Sequence, residues 1–365
     1  MSNRGGIAAY VTSHGFGHLN RSVAVLNRLP PSVPLVIRCK PDLFPHWRER
    51  LTRPADFQGH ASDVGAINPP GDSAATDGPA TLSLAEQVHA EAMGRIDDEV
   101  ERLRDEGTAA VLCDAPAAPL VAAKRAGIPG FLLANFTWAD IYESHARKIG
   151  PGAIRFVAEL RWAYRQASHV FRAQPGLAMK GFASIEDVGL VVSPGRDRRA
   201  ELRDRLSLGS GEKIIYFYVG RYGQASLGWD RLATLKGIHF VGFHAAPGSG
   251  PANLHVVPPT EWTGADLAAS SDAIVAKAGY GTACEAMAAG TPIVYPPRVG
   301  FAEHRALARA LKLWGGGVPA SSRAFSELRL ETLLRRALSL RPSSPPFPVD
   351  GAERVARRLI EAVSV

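Results

Sequence analysis

Short apolar, largely β-branched runs alternate with segments of helical period along the first third of the chain. IAAYVT (7–12) leads to a helix over 19–29 and to PLVIRC (34–39). A helix over 83–106, with Leu84, Val88, Ile96, Val100 and Leu103 on its apolar ridge, leads to AAVLCD (109–114), a helix over 117–126 and GFLLAN (130–135). Such strands, apolar on both faces and separated by helices, predict βαβ units on a parallel sheet. The alternation starts afresh with KIIYFYVG (213–220) and continues through GIHFVGF (237–243), NLHVVP (253–258), DAIVAK (272–277), a helix over 280–289, TPIVYPP (291–297) and a helix over 302–314. The arginine-rich stretch 193–206 separates the two series, so the pattern predicts one α/β domain over 1–195 and a second over 196–345. In the tail, 346–365, a proline-rich segment that cannot be helical precedes an amphipathic helix over 352–363 that could pack back on the first domain. Residues 58–81 are rich in turn formers and too long for a plain connection, which marks them as a binding loop or a mobile lid.

Composition narrows the class. At 365 residues the chain exceeds what one core usually holds, and 46% hydrophobic with 21% charged residues excludes disordered and fibrous classes. No run approaches the roughly 20 apolar residues of a membrane span, so no integral membrane segment is expected. Cys39, Cys113 and Cys284 are odd in number and each set in an apolar run, which reads as buried reduced thiols and a cytoplasmic location. The net charge of +7 invites nucleic acid, acidic lipid or a phosphorylated ligand. Its arginines are scattered over helix faces and no nucleic-acid motif accompanies them, so no nucleic-acid partner is expected, while peripheral contact with an acidic lipid surface stays open.

In parallel sheets ligands bind beyond the carboxyl ends of the strands, so chemistry is sought there. His14-Gly15-Phe16-Gly17-His18 follows the first strand directly and opens a helix. A dinucleotide fingerprint fails on Asn20, where a third glycine belongs, and on Arg38 and Lys40, where an acidic residue would hold a ribose. His14 and His18 lack the intervening glutamate of a helical zinc motif, and no metal site is expected. A strand-end histidine supported by a carboxylate suits proton abstraction from a hydroxyl, and Asp114, closing AAVLCD, stands at the same sheet edge. Asp114 also reads as a helix N-cap ahead of Ala115-Pro116, and the histidines as groups satisfying a tight turn.

The segment 270–311 carries a second constellation. Gly279 and Gly281 open a helix N-terminus toward an anion, Lys277 adds a mobile positive charge and Thr282 a hydroxyl, a set suited to a diphosphate. Glu285 either completes a Thr-x-x-Glu capping box with Thr282 or accepts both hydroxyls of a ribose. The aromatics Phe136, Trp138, Tyr142, Trp162 and Tyr164 line an acceptor pocket or serve helix packing.

In this order and at these strand ends, the residues resemble the GT-B glycosyltransferases that use nucleotide sugars, notably the MurG-like and plant UDP-glycosyltransferase groups. The segment TSHGFGHLNRSVAVLNRL is most similar to the glycosyltransferase-like domain of plant L-arabinokinases. The stretch from Lys277 to His304 resembles the donor signature H-x-G-x-N-[ST]-x-x-E followed by G-x-P and [DE]-Q. The resemblance implies two facing Rossmann-like domains with a cleft between them. It places the base on His18, its supporting carboxylate on Asp114, the diphosphate contacts on Gly17, Lys277, Gly279, Gly281 and Thr282, and the ribose contact on Glu285. Glu303 and His304 fall on the donor-sugar positions, Arg221 beside the phosphates, and His14, Phe136 and Trp138 on the acceptor side. Lys277 in place of histidine and His304 in place of glutamine depart from the signature.

The activity so implied is a hexosyltransferase-type transfer from a nucleoside-diphosphate sugar, a UDP-sugar foremost. The acceptor would be a small molecule, a glycan or a lipid-linked hydroxyl. The transfer would be inverting and metal-independent, without a resident cofactor, and would involve domain closure about 190–210. A catalytically inactive nucleotide-sugar binding module and a sugar-nucleotide 2-epimerase of the same fold are the alternatives.

Overall fold

The computed structural model describes residues 5–69, 76–220, 227–248 and 250–364. Its strands form two sheets. The first contains β1 (Gly6–Val11), β2 (Leu35–Cys39), β3 (Asp56–Gly59), β4 (Thr108–Asp114), β5 (Gly130–Ala134), β6 (His169–Ala173) and β7 (Glu186–Val188) in the order β3-β2-β1-β4-β5-β6-β7. The second contains β8 (Lys213–Tyr218), β9 (Ile238–Gly242), β10 (Leu254–Val256), β11 (Ala273–Ala276), β12 (Ile293–Tyr295) and β13 (Gly317–Pro319) in the order β10-β9-β8-β11-β12-β13. All recorded pairings are parallel, as the unbroken apolar runs predict.

The strand order reverses between β1 and β4 in one sheet and between β8 and β11 in the other. At these points successive crossovers leave toward opposite faces, and a crevice opens beyond the strand ends. Val11 pairs with Asp114 at one such point, and Lys277 follows β11 at the other. Helix Phe16–Leu26 of the first half packs against helix Tyr280–Ala289 of the second. The tail crosses back: Leu190 N–H donates to Pro348 O at 2.7 Å, and helix Gly351–Val363 packs on helix Phe16–Leu26, burying Ala352, Val355, Ala356 and Leu359.

Several elements differ from expectation for identifiable reasons. The first helix begins at Phe16, not at residue 19, because Gly15 takes φ 81 and serves as its N-cap. Gly17 and His18 are therefore in the first helical turn, with the backbone N–H groups of that turn open toward the cleft. The helix expected over 83–106 is two, Gly78–Gly94 and Ile96–Asp105, parted at Arg95, where the backbone leaves helical geometry. The first of these buries Leu82, Ala85 and His89, leaving Leu84 exposed, so its apolar face is turned from the expected ridge. The loop over 58–81 starts inside β3 and ends inside helix Gly78–Gly94. The three cysteines are free and buried.

Candidate active site

Helix Phe16–Leu26 places His18, Arg21 and Ser22 at i, i+3 and i+4, a spacing that puts three side chains on one face. That face meets the end of β4, and all three converge on Asp114, which is fully buried. His18 Nδ1 lies 2.8 Å from Asp114 Oδ1, Arg21 Nε donates to Oδ2 at 3.0 Å and Ser22 Oγ to Oδ2 at 2.8 Å, while a second Arg21 N–H donates to Oδ1. Burial alone would raise the carboxyl pKa, but the Arg21 and His18 charges and their hydrogen bonds outweigh it and hold the group at about 2. Asp114 is thus an acceptor at neutral pH. An Arg21 terminal nitrogen also lies 3.0 Å from His18 Nδ1, but the nearer Asp114 Oδ1 at 2.8 Å favours the tautomer with its proton on Nδ1, which leaves Nε2 as the basic nitrogen. The N-cap reading of Asp114 does not hold: Ala117 is the N-cap of the next helix, with no side-chain cap, because Asp114 is drawn inward by Arg21.

His14 is half-buried in the turn ahead of helix Phe16–Leu26, with its ring edge-on to Trp138 at 5.4 Å. Burial, reinforced by His18, Arg298 and Lys277, pushes its pKa down to about 3, so it stays neutral. The 58–69 stretch lies directly on it, since a Cβ on Gly65 would overlap the His14 ring. Phe136 and Trp138 are 2% and 1% exposed. They stand edge-on and tilted to His18 at 5.8 and 6.2 Å, as a packed wall behind it, and Trp138 Nε1 donates to Asp63 at 2.7 Å.

On the second half, Gly279 is the N-cap of helix Tyr280–Ala289 and its side-chain cap is absent. Thr282 is therefore already inside the helix, and the Thr282–Glu285 capping box does not form. Glu285 is 7% exposed; burial pushes its pKa up to about 7, against the opposing pull of Arg50. Lys277 is half-buried, and burial, with Arg298 nearby, lowers its pKa to about 8. Gly281 comes up against Gly17, so the N-termini of two helices from opposite halves meet. Each such end carries a partial positive charge and open N–H groups, the arrangement that binds a phosphate.

Glu303 is buried between the halves, with Oε1 accepting from Asn135 Nδ2 at 2.7 Å and Oε2 from Arg298 at 3.2 Å. His304 is half-buried with its ring facing Tyr295, and its Nδ1 has no partner among the described residues. Arg221 lies outside the described residues. Among them, no three His, Cys, Asp or Glu side chains form a metal-binding group, and no helix is long and apolar enough to cross a membrane.

The structure thus brings His14, His18, Asp114, Lys277, Gly281 and Glu303 to one cleft, together with residues that the sequence reading passed over: Arg21, Ser22, Asn135, Arg298 and Asp63. Arg21 and Ser22 carry a usable signal in their i+3 and i+4 spacing from His18, and Asn135 in its place directly after an apolar strand.

No family model matches the chain. It is 28% identical over 343 residues to L-arabinokinase from Arabidopsis thaliana, an alignment covering 92% of this chain and 32% of that protein. The chain spans about a third of the length of the curated relative it matches. Among solved structures it superposes on the glycotransferase of kitacinnamycin with TM-score 0.63 and 16% identity, covering 99% of this chain and 96% of that one. A UDP-glucosyltransferase from Polygonum tinctorium capable of glucosylating indoxyl gives TM-score 0.63 at 15% identity, covering 100% and 95%. The spinosyn rhamnosyltransferase SpnG complexed with thymidine diphosphate gives 0.59 at 15%, covering 98% and 96%. The chain has the GT-B fold of these glycosyltransferases.

Proposed function

We propose that the chain is a glycosyltransferase that moves a sugar from a nucleoside-diphosphate sugar to an acceptor hydroxyl. The observation that carries this reading is the His18–Asp114 pair at 2.8 Å, set beside the meeting point of two helix N-termini at Gly17 and Gly281. A base and an anion cradle in one cleft are the two devices that displacement of a diphosphate by a hydroxyl requires. His18 Nε2 takes the acceptor hydroxyl proton as that oxygen bonds to the anomeric carbon. The bond from that carbon to the diphosphate oxygen breaks, and its electron pair leaves with the nucleoside diphosphate. Lys277, Thr282 and the N–H groups at Gly279 to Gly281 stabilise the charge that develops there. A single in-line step inverts the anomeric carbon, and the buried positive groups do the work without a metal.

Glu285 is assigned to the ribose, and Glu303 and His304 to the donor-sugar side. His14, which is neutral, is assigned to the acceptor together with the wall formed by Phe136 and Trp138. A UDP-sugar is the proposed donor, with a TDP-sugar as the other pyrimidine candidate, since structural neighbours are named for UDP and thymidine diphosphate. Thermal denaturation with UDP and TDP, followed by transfer assays with and without acceptors, tests the reading. Stabilisation by a nucleoside diphosphate, with acceptor-dependent sugar release, is the expected result. Turnover of the nucleotide sugar with no acceptor need points to the epimerase, and binding without turnover over a broad acceptor set points to the inactive module.

A further inference from the structure

The contacts that orient the His18–Asp114 pair continue into the second half of the molecule. Arg21 uses Nε and one terminal nitrogen on Asp114 and donates from Nη1 to Asn135 Oδ1 at 2.6 Å. Asn135 Nδ2 donates in turn to Glu303 Oε1 at 2.7 Å, and Arg298 of the same half holds the other Glu303 oxygen at 3.2 Å. A guanidinium only donates and a carboxylate only accepts, so the Asn135 amide is fixed in one orientation, oxygen to Arg21 and nitrogen to Glu303. Arg21, Asn135 and Glu303 are 2%, 1% and 4% exposed. A broken link here leaves a hydrogen-bonding position on a buried charged group unfilled, which couples the members of the chain of contacts.

We propose that Asn135 is a positioning residue that latches the two halves together, so that Arg21 presents Asp114 and His18 in working geometry when the cleft is closed. The inference rests on the glycosyltransferase reading, in which one half supplies the base and the other holds the leaving group. Only an amide fits the position: an aspartate meets Glu303 with a second carboxylate, and an apolar residue removes the link, leaving Arg21 to Asp114 alone and Glu303 to Arg298 alone.

The test is a double-mutant cycle. Asn135→Asp changes a single group and sets two carboxylates face to face. Glu303→Gln in that background restores the bond with reversed polarity, the new amide donating to residue 135 while its oxygen still faces Arg298. Radius of gyration by X-ray scattering and the thermal shift with UDP are measured for each protein. UDP lacks the transferred sugar, so any contact of Glu303 with the donor sugar leaves this readout untouched. The expected result is that Asn135→Asp expands the free chain and weakens UDP binding by about five-fold or more, the range of an ordinary coupling between sites. It also lowers kcat more than the acceptor KM, and the double variant recovers both compactness and UDP binding. A single variant as compact and as responsive as the parent overturns the latch. So does a double variant no better than the single, which is what a merely structural role predicts. A parent that neither responds to UDP or TDP nor transfers sugar overturns the glycosyltransferase reading instead, and the scattering cycle then still decides the latch.

Discussion

Gly17 and Gly281 face each other across the cleft: a Cβ on Gly281 would lie 3.6 Å from the Cα of Gly17. Each sits in the first turn of its helix, and neither has a positive φ. The absence of a side chain at both positions therefore reflects the gap between two helix N-termini, not a backbone conformation that excludes other residues.

Gly281→Ala separates fold from ligand. The contact distance is an ordinary one and alanine is the better helix former by about 1 kcal/mol, so the melting temperature stays level or rises. The added methyl enters the gap where the diphosphate is assigned, and affinity for UDP or TDP falls by about ten-fold, about 1.4 kcal/mol. Titration calorimetry that finds parental affinity removes the diphosphate from this gap.

His18→Ala lowers transfer by about a hundred-fold to ten-thousand-fold, the usual contribution of a general base, with UDP affinity unchanged. Asp114→Asn has a second consequence, because it leaves the buried Arg21 guanidinium without its carboxylate. Breaking a buried ion pair costs about 3–5 kcal/mol, so this variant loses turnover and much more melting temperature than His18→Ala, which leaves the Arg21–Asp114 pair intact. Steady-state rates and thermal unfolding on both proteins check the split.

The pH dependence of nucleotide affinity follows from two shifted groups. Glu285, raised to about 7 by burial, must give up its proton to accept two ribose hydroxyls, so affinity rises with pH through about 7. Lys277, lowered to about 8 by burial, must keep its proton to face the diphosphate, so affinity falls again above about 8. UDP binding is then strongest between these values. Glu285→Gln flattens the acid limb and Lys277→Arg the alkaline limb, since arginine keeps its charge. An alkaline limb unaltered in Lys277→Arg assigns it to another group.

How legible all this is in the sequence depends on the range of the interaction. IAAYVT, AAVLCD and DAIVAK are recognisable because strands buried on both faces must be apolar throughout, and the strand ends then point to His18, Asp114 and Lys277. The edge strands β3 and β7 read DFQG and EDV, too short and too polar to carry that signal, and β13, GVP, is too short. Capping misleads at Asp114 and at Thr282, since each residue suits a helix start and only the folded chain shows Arg21 holding the one and Gly279 starting the helix ahead of the other. The Arg21–Asp114 and Asn135–Glu303 contacts join residues 93 and 168 positions apart, and no local pattern reports them.

Asp114 also makes the stability of the chain depend on acid in a way that Arg21 controls. Its folded pKa of about 2 lies below the usual 3.8, so the unfolded state binds more protons in this window. The carboxylate therefore contributes about 2 kcal/mol that is fully present above 3.8 and is lost as pH falls toward 2. In Arg21→Met the opposing cation is gone while the burial remains, and the folded pKa moves above the usual value. The sign then reverses: the folded state holds the extra proton, and this site destabilises the chain increasingly as pH rises. The penalty of Arg21→Met is accordingly large at pH 7 and shrinks toward pH 3. Urea unfolding of parent and variant at the two pH values measures it, and an equal penalty at both means that Arg21 contributes packing alone.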